Sequence, residues 1–143
     1  MENSLDKFRI LVVDDEEDIC EILQYNLQQA GYIVETASGS EEALYKIKNS
    51  YHLLLLDIML PGADGYDIME YIRPLGVPVI FITAKNAVSD RVKGLRMGAE
   101  DYIVKPFDVR EAVARIKAVA RRACVEKSEK DAKELNYDNM YIN

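Results

Sequence analysis

The feature that most constrains the fold is an alternation between short apolar runs and segments with helical periodicity. Five runs rich in β-branched residues, leucine or aromatic residues recur along the chain, and after each one apolar residues repeat every three or four positions. Strands and amphipathic helices in regular alternation are typical of β-α-β units. The predicted strands are residues 8–13, 32–36, 53–56, 77–82 and 102–104.

The third run, residues 53–56, consists of four leucines, so this strand is expected to be buried on both faces. Strands of that kind belong to parallel sheets that are covered by helices on both sides. Right-handed crossovers leave few topologies for such a sheet. We therefore expect an α/β fold, a doubly wound parallel sheet of (βα)5 type, with ligands bound beyond the carboxyl ends of its strands.

Local signals mark several helix ends. Gly31 follows the first helix and suits a C′ position, and Ser40 is expected to cap the second helix. Asp108 and Glu111 resemble a capping box that opens the last helix. In the fourth helix, Val92 supplies part of the apolar repeat together with Leu95.

Length and charge narrow the function classes. The chain has 143 residues, enough for one well-buried domain, and its formal net charge of −7 excludes an all-over basic surface for nucleic acid. The N-terminus lacks the apolar core of a signal peptide, and no apolar run approaches the length of a membrane span. Cys20 and Cys124 belong to no CxxC motif, which indicates reduced thiols. A cytoplasmic location is expected.

Polar residues stand at the carboxyl ends of four predicted strands. Three carboxylates in one crevice would repel each other, and a hard cation such as Mg²⁺ resolves that conflict. The flavodoxin-like strand order 2-1-3-4-5 places the first and third strands side by side at the switch point, so we expect that order. The residues concerned are Asp14 and Asp15 after strand one, Asp57 after strand three, Thr83 after strand four and Lys105 after strand five.

This constellation suits phosphoryl transfer. A carboxylate can attack phosphorus and form an acyl phosphate, and the other groups can neutralise charge on the phosphoryl oxygens. The motifs Asp14-Asp15, 56–62, Thr83-Ala84 and 105–107 together resemble those of response-regulator receiver domains, over residues 8 to about 122. The resemblance implies a domain that is no enzyme on other substrates and catalyses only its own phosphorylation and dephosphorylation.

The resemblance also implies roles for single residues. Asp57 is then the phosphoacceptor, and Asp14, Asp15, Asp57 and the backbone carbonyl of Met59 hold Mg²⁺. Lys105 pairs with the phosphoryl group, and its bond to Pro106 is expected to be cis. Thr83 and Tyr102 match the switch pair, in which the hydroxyl moves to the phosphoryl group and the ring swings inward.

Some of these residues have a simpler interpretation. Tyr102 in a strand is more often a packing residue than a switch. Glu16, Glu17 and Asp18 are expected to interact favourably with the dipole of the first helix. His52 is expected to be an exposed edge residue. Met59 cannot hydrogen-bond an attacking water, which predicts slow self-dephosphorylation.

A second set of residues around the fourth and last helices is mixed in charge. It is typical of a solvated face, yet its placement is similar to that in receivers fused to winged-helix DNA-binding domains. There, pairs such as Arg91 with Glu111 and Asp101 with Arg115 bridge two subunits of a homodimer that forms on activation. The set is Arg91, Glu100, Asp101, Glu111, Arg115, Lys117 and Arg122, and Glu100 departs from the usual Asp.

The end of the chain changes in composition. We expect a receiver domain over residues 1–122, and a linker with the truncated start of a missing effector domain over residues 123–143. Residues 125–134 are mostly charged, and residues 135–143 alternate like two strands around an Asp-Asn turn. By resemblance, a sensor histidine kinase supplies the phosphoryl group, and the missing domain, not this segment, contacts DNA.

Three other functions compete with this one. A Mg²⁺-dependent phosphatase that forms an aspartyl phosphate usually carries its nucleophile after the first strand and adds a cap, for which the loop of residues 14–18 has no room. A phosphorylation-independent interaction module would not need all five site residues. The sequence contains no GxGxxG motif or Walker loop for binding a nucleotide. The loop after the first strand is acidic, whereas the phosphate of a flavin would need hydrogen-bond donors there.

Overall fold

The computed structural model describes residues 8–124, which form a five-stranded parallel sheet in the order β2-β1-β3-β4-β5. The predicted fold class and strand order are therefore confirmed. The strands are β1 (Arg9–Val13), β2 (Ile33–Ala37), β3 (Leu53–Leu56), β4 (Val79–Thr83) and β5 (Asp101–Val104).

Helices connect the strands and cover both faces of the sheet. They are α1 (Glu17–Gln29), α2 (Ser40–Lys46), α3 (Gly65–Ile72) with a 3₁₀ turn at Arg73–Leu75, α4 (Val88–Arg96) and α5, which includes residues 109–124. The expected boundary at residue 122 lies within α5. The predicted linker and hairpin, residues 125–143, lie outside the described residues.

The core divides into two layers because successive side chains of a strand point to opposite faces. In β3, Leu53 and Leu55 join the layer with α1 and α5, whereas Leu54 and Leu56 join the layer with α2 and α3. All four leucines are at most 1% exposed. The four-leucine run therefore behaves as the sequence predicted, as a strand buried on both faces.

The helix-end signals had mixed outcomes. Gly31 follows α1 with a positive φ of 103°, and Asp108 accepts hydrogen bonds from the backbone N–H groups of Arg110 and Glu111. The prediction that Ser40 caps α2 is wrong. Gly39 is the N-cap residue of α2, and no side chain of the described residues caps this helix. The Ser40 hydroxyl instead accepts from the backbone N–H of Ala63, in the loop that follows β3.

The α4 helix presents its larger apolar residues to solvent. Val88, Val92 and Leu95 are 66%, 41% and 50% exposed, and its buried residue is Gly94. An added Cβ at Gly94 would lie 2.9 Å from the Tyr102 ring, so this glycine lets α4 approach β5 closely. Among residues 8–124, no helix is long and apolar enough to cross a membrane.

Candidate functional site

Two acidic residues meet where β1 and β3 end. Val13 is in register with Leu56, and the backbone ladder continues one step further, because the Asp57 N–H donates to the carbonyl of Val13 at 3.0 Å. Asp14 likewise donates its N–H to Ala37 of β2 at 3.0 Å. These bonds fix both backbones at the switch point of the sheet, and the Asp14 and Asp57 side chains are buried there.

Lys105, which follows β5, links the carboxylates of this pocket. Its Nζ lies 2.7 Å from Asp14 Oδ2, 2.9 Å from Asp57 Oδ2 and 3.1 Å from Glu16 Oε2. The peptide bond from Lys105 to Pro106 is cis, as expected. The structure thus brings together three of the predicted site residues and one carboxylate that the sequence analysis assigned elsewhere.

Burial and charge act against each other in the pocket. Burial raises the pKa of Asp14 above its usual value, although the hydrogen bonds from Lys105 and from the backbone of Glu16 lower it. Burial alone would lower the pKa of Lys105, but its hydrogen bonds to Asp14 and Asp57 raise that pKa well above the ordinary range. Lys105 is therefore fully cationic at neutral pH, and one ammonium faces three carboxyl groups.

Glu16 is a member of the acidic cluster that was not predicted from the sequence. It is the N-cap residue of α1, and its side chain makes no cap hydrogen bond; its carboxylate turns to Lys105 instead. Glu16 lies at the N-terminus of α1, where an acidic residue was expected, and its contact with Lys105 is a further role; Glu17 and Asp18 occupy the first turn of α1. No local pattern in the sequence predicts this contact, because Lys105 is 89 positions away.

A divalent cation fits this acidic pocket. Asp14, Glu16 and Asp57 each offer one carboxylate oxygen, and these oxygens lie within 4.8 Å of one another. Hard cations such as Mg²⁺ favour oxygen ligands and relieve the repulsion of clustered carboxylates. Asp15, the second expected metal ligand, is exposed, and the third carboxylate of the cluster is that of Glu16.

The loop after β3 holds the expected acceptor in place. Asp57 Oδ1 accepts a hydrogen bond from the Met59 N–H at 2.9 Å, and Met59 itself is 54% exposed at the rim. Gly65, at the start of α3, donates its N–H to Ile58 at 2.8 Å. An added Cβ at Gly65 would lie 2.5 Å from the Asp57 carbonyl, so this loop packs directly on the helix.

The expected switch pair lies beside the pocket. Thr83 is fully buried at the end of β4, and its hydroxyl accepts from the Lys85 N–H at 3.4 Å. The Tyr102 ring is 5% exposed and packs near Phe81, and its hydroxyl donates to the Lys85 carbonyl at 2.8 Å. Burial raises the pKa of Tyr102 to about 12. Both hydroxyls therefore bind the backbone of the same residue, Lys85, in the β4–α4 loop.

The charged residues expected to form a dimer face surround β5 and α5. Arg115 binds Asp101 with two hydrogen bonds, of 2.7 and 3.0 Å, within the same chain. Arg122 lies 3.6 Å from Glu100, and Lys117 is exposed. The pairing of Asp101 with Arg115 across two subunits stays a prediction, and it would require this pair to exchange partners.

A cleft of about 260 Å³ lies between α4 and α5 on the same surface. Arg91 and Glu111, the other pair expected to bridge two subunits, both line it, and Tyr102 also contributes to its wall. Pairing of Arg91 with Glu111 across subunits likewise stays a prediction.

His52 differs from its expected exposed position. It is partly buried before β3, where its Nδ1 accepts a hydrogen bond from the Arg9 N–H at 2.9 Å. Its ring stacks on Phe8 with a centroid distance of 5.0 Å. The residue precedes β3 and therefore belongs to the end of the sheet opposite the acidic pocket.

Comparison with known proteins assigns this fold and pocket to a family. The sequence profile described as the response regulator receiver domain matches residues 10–117. Over 118 residues the chain is 49% identical to the alkaline phosphatase synthesis transcriptional regulatory protein PhoP of Bacillus subtilis, and the match covers 80% of this chain and 49% of that protein. The chain spans about half the length of the curated relatives it matches.

Solved structures agree with the sequence match. The response regulator DrrB of Thermotoga maritima, described as an OmpR/PhoB homologue, is 34% identical with a TM-score of 0.75, covering 81% of this chain and 54% of that one. The BeF₃-activated DrrB receiver domain is 34% identical with a TM-score of 0.74, covering 78% and 96%. The chain therefore belongs to the receiver domain family of two-component response regulators, whose matched relatives are transcriptional regulators.

Proposed function

We propose that Asp57 accepts a phosphoryl group from a phosphohistidine of a sensor histidine kinase, in a Mg²⁺-dependent reaction. The observation that carries this proposal is the buried Lys105 ammonium bound to both Asp14 and Asp57 at the switch point of the sheet. A buried carboxylate held beside a fixed cation is an oriented nucleophile. The pocket thereby positions the acceptor before a donor arrives.

The chemical step follows from the hydrogen bonds of Asp57. One oxygen is oriented by the Met59 N–H and the other by Lys105, so attack on phosphorus leaves the carboxyl group still held on one side. An Asp57 oxygen forms the new bond to phosphorus while the bond from phosphorus to the histidine nitrogen breaks. The electron pair of that bond stays on the imidazole, and the product is an acyl phosphate.

Mg²⁺, when bound, would neutralise charge on the phosphoryl oxygens. We propose that Asp57, the Asp14–Asp15 pair and the Met59 carbonyl hold it. The carboxylate oxygens of Asp14 and Asp57, which lie within 4.8 Å of each other and of Glu16, support the part of this site that they form, and Asp15 is exposed next to Asp14. The domain catalyses only its own phosphorylation and dephosphorylation.

The switch would run from Thr83 to Tyr102. The Thr83 hydroxyl accepts from the Lys85 N–H, and the Tyr102 hydroxyl donates to the Lys85 carbonyl, so one residue of the β4–α4 loop joins the two. Movement of Thr83 towards a phosphoryl group would disturb that loop and bias α4 and β5. The charged residues on α4, β5 and α5 would then form a homodimer interface.

We further propose that the chain is the N-terminal half of a cytoplasmic transcription regulator. Residues 1–122 would be the receiver, and residues 123–143 would lead into a DNA-binding effector domain. The support is the half-length match to transcriptional regulators such as PhoP of Bacillus subtilis. DNA would be bound by the effector domain and not by the receiver, in keeping with the net charge of −7.

Intact-mass measurement tests the acceptor. The chain is incubated with acetyl phosphate with and without Mg²⁺, beside Asp57→Asn and the matched variant Asp64→Asn. Asp64 is exposed and caps α3, so its replacement removes the same charge a short distance from the pocket. One phosphoryl adduct that needs Mg²⁺ and is lost only in Asp57→Asn is the expected result. A folded wild-type chain that gains no adduct would contradict the proposal.

A further inference from the structure

All three donors of Lys105 are occupied by carboxylates. A lysine ammonium has three N–H groups, and the oxygens of Asp14, Asp57 and Glu16 lie 2.7, 2.9 and 3.1 Å from Nζ. The Lys105 side chain is only 8% exposed, so bulk water has little access to it. An incoming phosphoryl oxygen can therefore bind Lys105 only if one of the three carboxylates gives up its place.

Of the three carboxylates, that of Glu16 can separate from Lys105 at the lowest cost in free energy. Its side chain is 58% exposed, against 3% for Asp14 and 4% for Asp57, and its contact is the longest of the three. Asp14 and Asp57 are also held by backbone N–H groups through their second oxygens. A buried carboxylate that loses its cation stays unpaired, whereas an exposed carboxylate regains water.

We propose that Glu16 is an exchangeable counter-ion that occupies Lys105 until a phosphoryl group displaces it. This inference rests on the proposed function, because it concerns how the same pocket admits an anionic ligand. Glu16 is a positioning residue: it forms and breaks no covalent bond. With acetyl phosphate, an Asp57 oxygen bonds to phosphorus while the bond from phosphorus to the acetyl oxygen breaks, and acetate leaves with the electron pair.

Two consequences follow for ligands of the pocket. An anion that binds Lys105 must compete with the Glu16 carboxylate and must also approach its negative charge. Removing that charge should therefore strengthen binding of a phosphoryl analogue. The effect should be larger for a dianionic phosphoryl donor than for a monoanionic one, because the repulsion scales with the charge of the donor.

The test compares Glu16→Gln with Glu17→Gln and the unaltered chain. Both variants lose one negative charge at adjacent positions, but Glu17 lies exposed in the first turn of α1. Affinity for beryllofluoride, a phosphoryl analogue, is measured by ¹⁹F NMR at Mg²⁺ concentrations that saturate each protein. We expect Glu16→Gln to bind about twofold to fivefold more tightly, the range of one exposed ion pair, and Glu17→Gln to match the unaltered chain.

Phosphorylation rates supply a second readout. Glu16→Gln should accelerate reaction with acetyl phosphate more than with the less charged phosphoramidate, whereas a purely structural role would change both rates alike. If Glu16→Gln bound beryllofluoride as tightly as the unaltered chain or more weakly at saturating Mg²⁺, the inference would be overturned. Glu16 would then act by helping to bind Mg²⁺. If the unaltered chain neither binds beryllofluoride nor becomes phosphorylated, the proposed function fails as well.

Discussion

Replacing Asp14 with asparagine should stabilise the fold when divalent cations are absent, although it removes a partner of Lys105. Asp14 is 3% exposed, and burial raises its pKa despite the hydrogen bond from Lys105. A carboxyl group with a raised pKa in the folded state is less favourable as an anion there than in the unfolded chain. The folded chain therefore loses stability as the pH rises from the pKa of the unfolded chain through the raised pKa of the folded one, and the cost is fully present above the latter.

The size of the effect follows from the pocket geometry. Carboxylate oxygens of Asp14, Glu16 and Asp57 lie within 4.8 Å of one another. At an effective dielectric constant of about 20, Glu16 and Asp57 each repel the Asp14 carboxylate by about 3.5 kcal/mol. The attraction between Asp14 and Lys105 at 2.7 Å offsets about 6 kcal/mol of this repulsion. Burial costs the carboxylate a few kcal/mol more, and asparagine forfeits one hydrogen bond worth about 1 kcal/mol. The balance favours asparagine by about 1–3 kcal/mol.

Urea denaturation followed by circular dichroism, at neutral pH with a chelator, measures this difference. Asp14→Asn should have the higher midpoint, and the gap from the wild type should shrink as the pH is lowered. Asp15→Asn is the matched control, because Asp15 is exposed and should change stability by less than about 0.5 kcal/mol. Mg²⁺ should stabilise the wild type more than Asp14→Asn. A less stable Asp14→Asn protein at neutral pH without cations would refute the reasoning.

Three further substitutions test other parts of the account. Gly65→Ala should destabilise by about 3 kcal/mol in urea denaturation, because its Cβ meets backbone atoms at 2.5 Å. Gly39→Ala, with ordinary contacts, should cost only the preference for glycine at an N-cap, about 1 kcal/mol or less. Gly94→Ala should displace the Tyr102 ring. Tetranitromethane nitrates Tyr102 slowly in the wild type, because the pKa of Tyr102 is raised to about 12, and the nitration rate of Tyr102 should increase in the variant. Met59→Asn should shorten the phosphorylated lifetime about fivefold in a mass time course, as one hydrogen bond to water allows, and an unchanged lifetime would contradict the role given to Met59.

The topology and the place of the pocket could be predicted because they follow from strong patterns. The four leucines of β3 left a parallel, doubly covered sheet as the expected fold, and repulsion among carboxylates favoured the order that sets β1 beside β3. Asp14, Asp57 and Lys105 meet as predicted. Burial of a strand on both faces and the sign of the charges at strand ends depend on the types of residues in a segment. Both can therefore be predicted from the sequence.

The remaining features depend on single side-chain orientations, which local patterns do not determine. Glu16 was assigned to the helix dipole, but its rotamer carries it to Lys105, a residue 89 positions away. Ser40 has the chemistry of a helix cap, yet its hydroxyl binds a loop that only the folded chain brings near. His52 was expected to be exposed, and its partner is the Arg9 N–H of a neighbouring strand. Each outcome is a contact between residues distant in sequence.

The most direct test of the central claim is to locate the phosphoryl group. Borohydride reduces an acyl phosphate to an alcohol, so a phosphorylated aspartate becomes homoserine and marks its own position in a peptide map. After treatment with acetyl phosphate and Mg²⁺, the account predicts homoserine at position 57 alone, and none when Mg²⁺ is chelated. Homoserine at position 14 or 15, with an unmodified Asp57, would contradict the account.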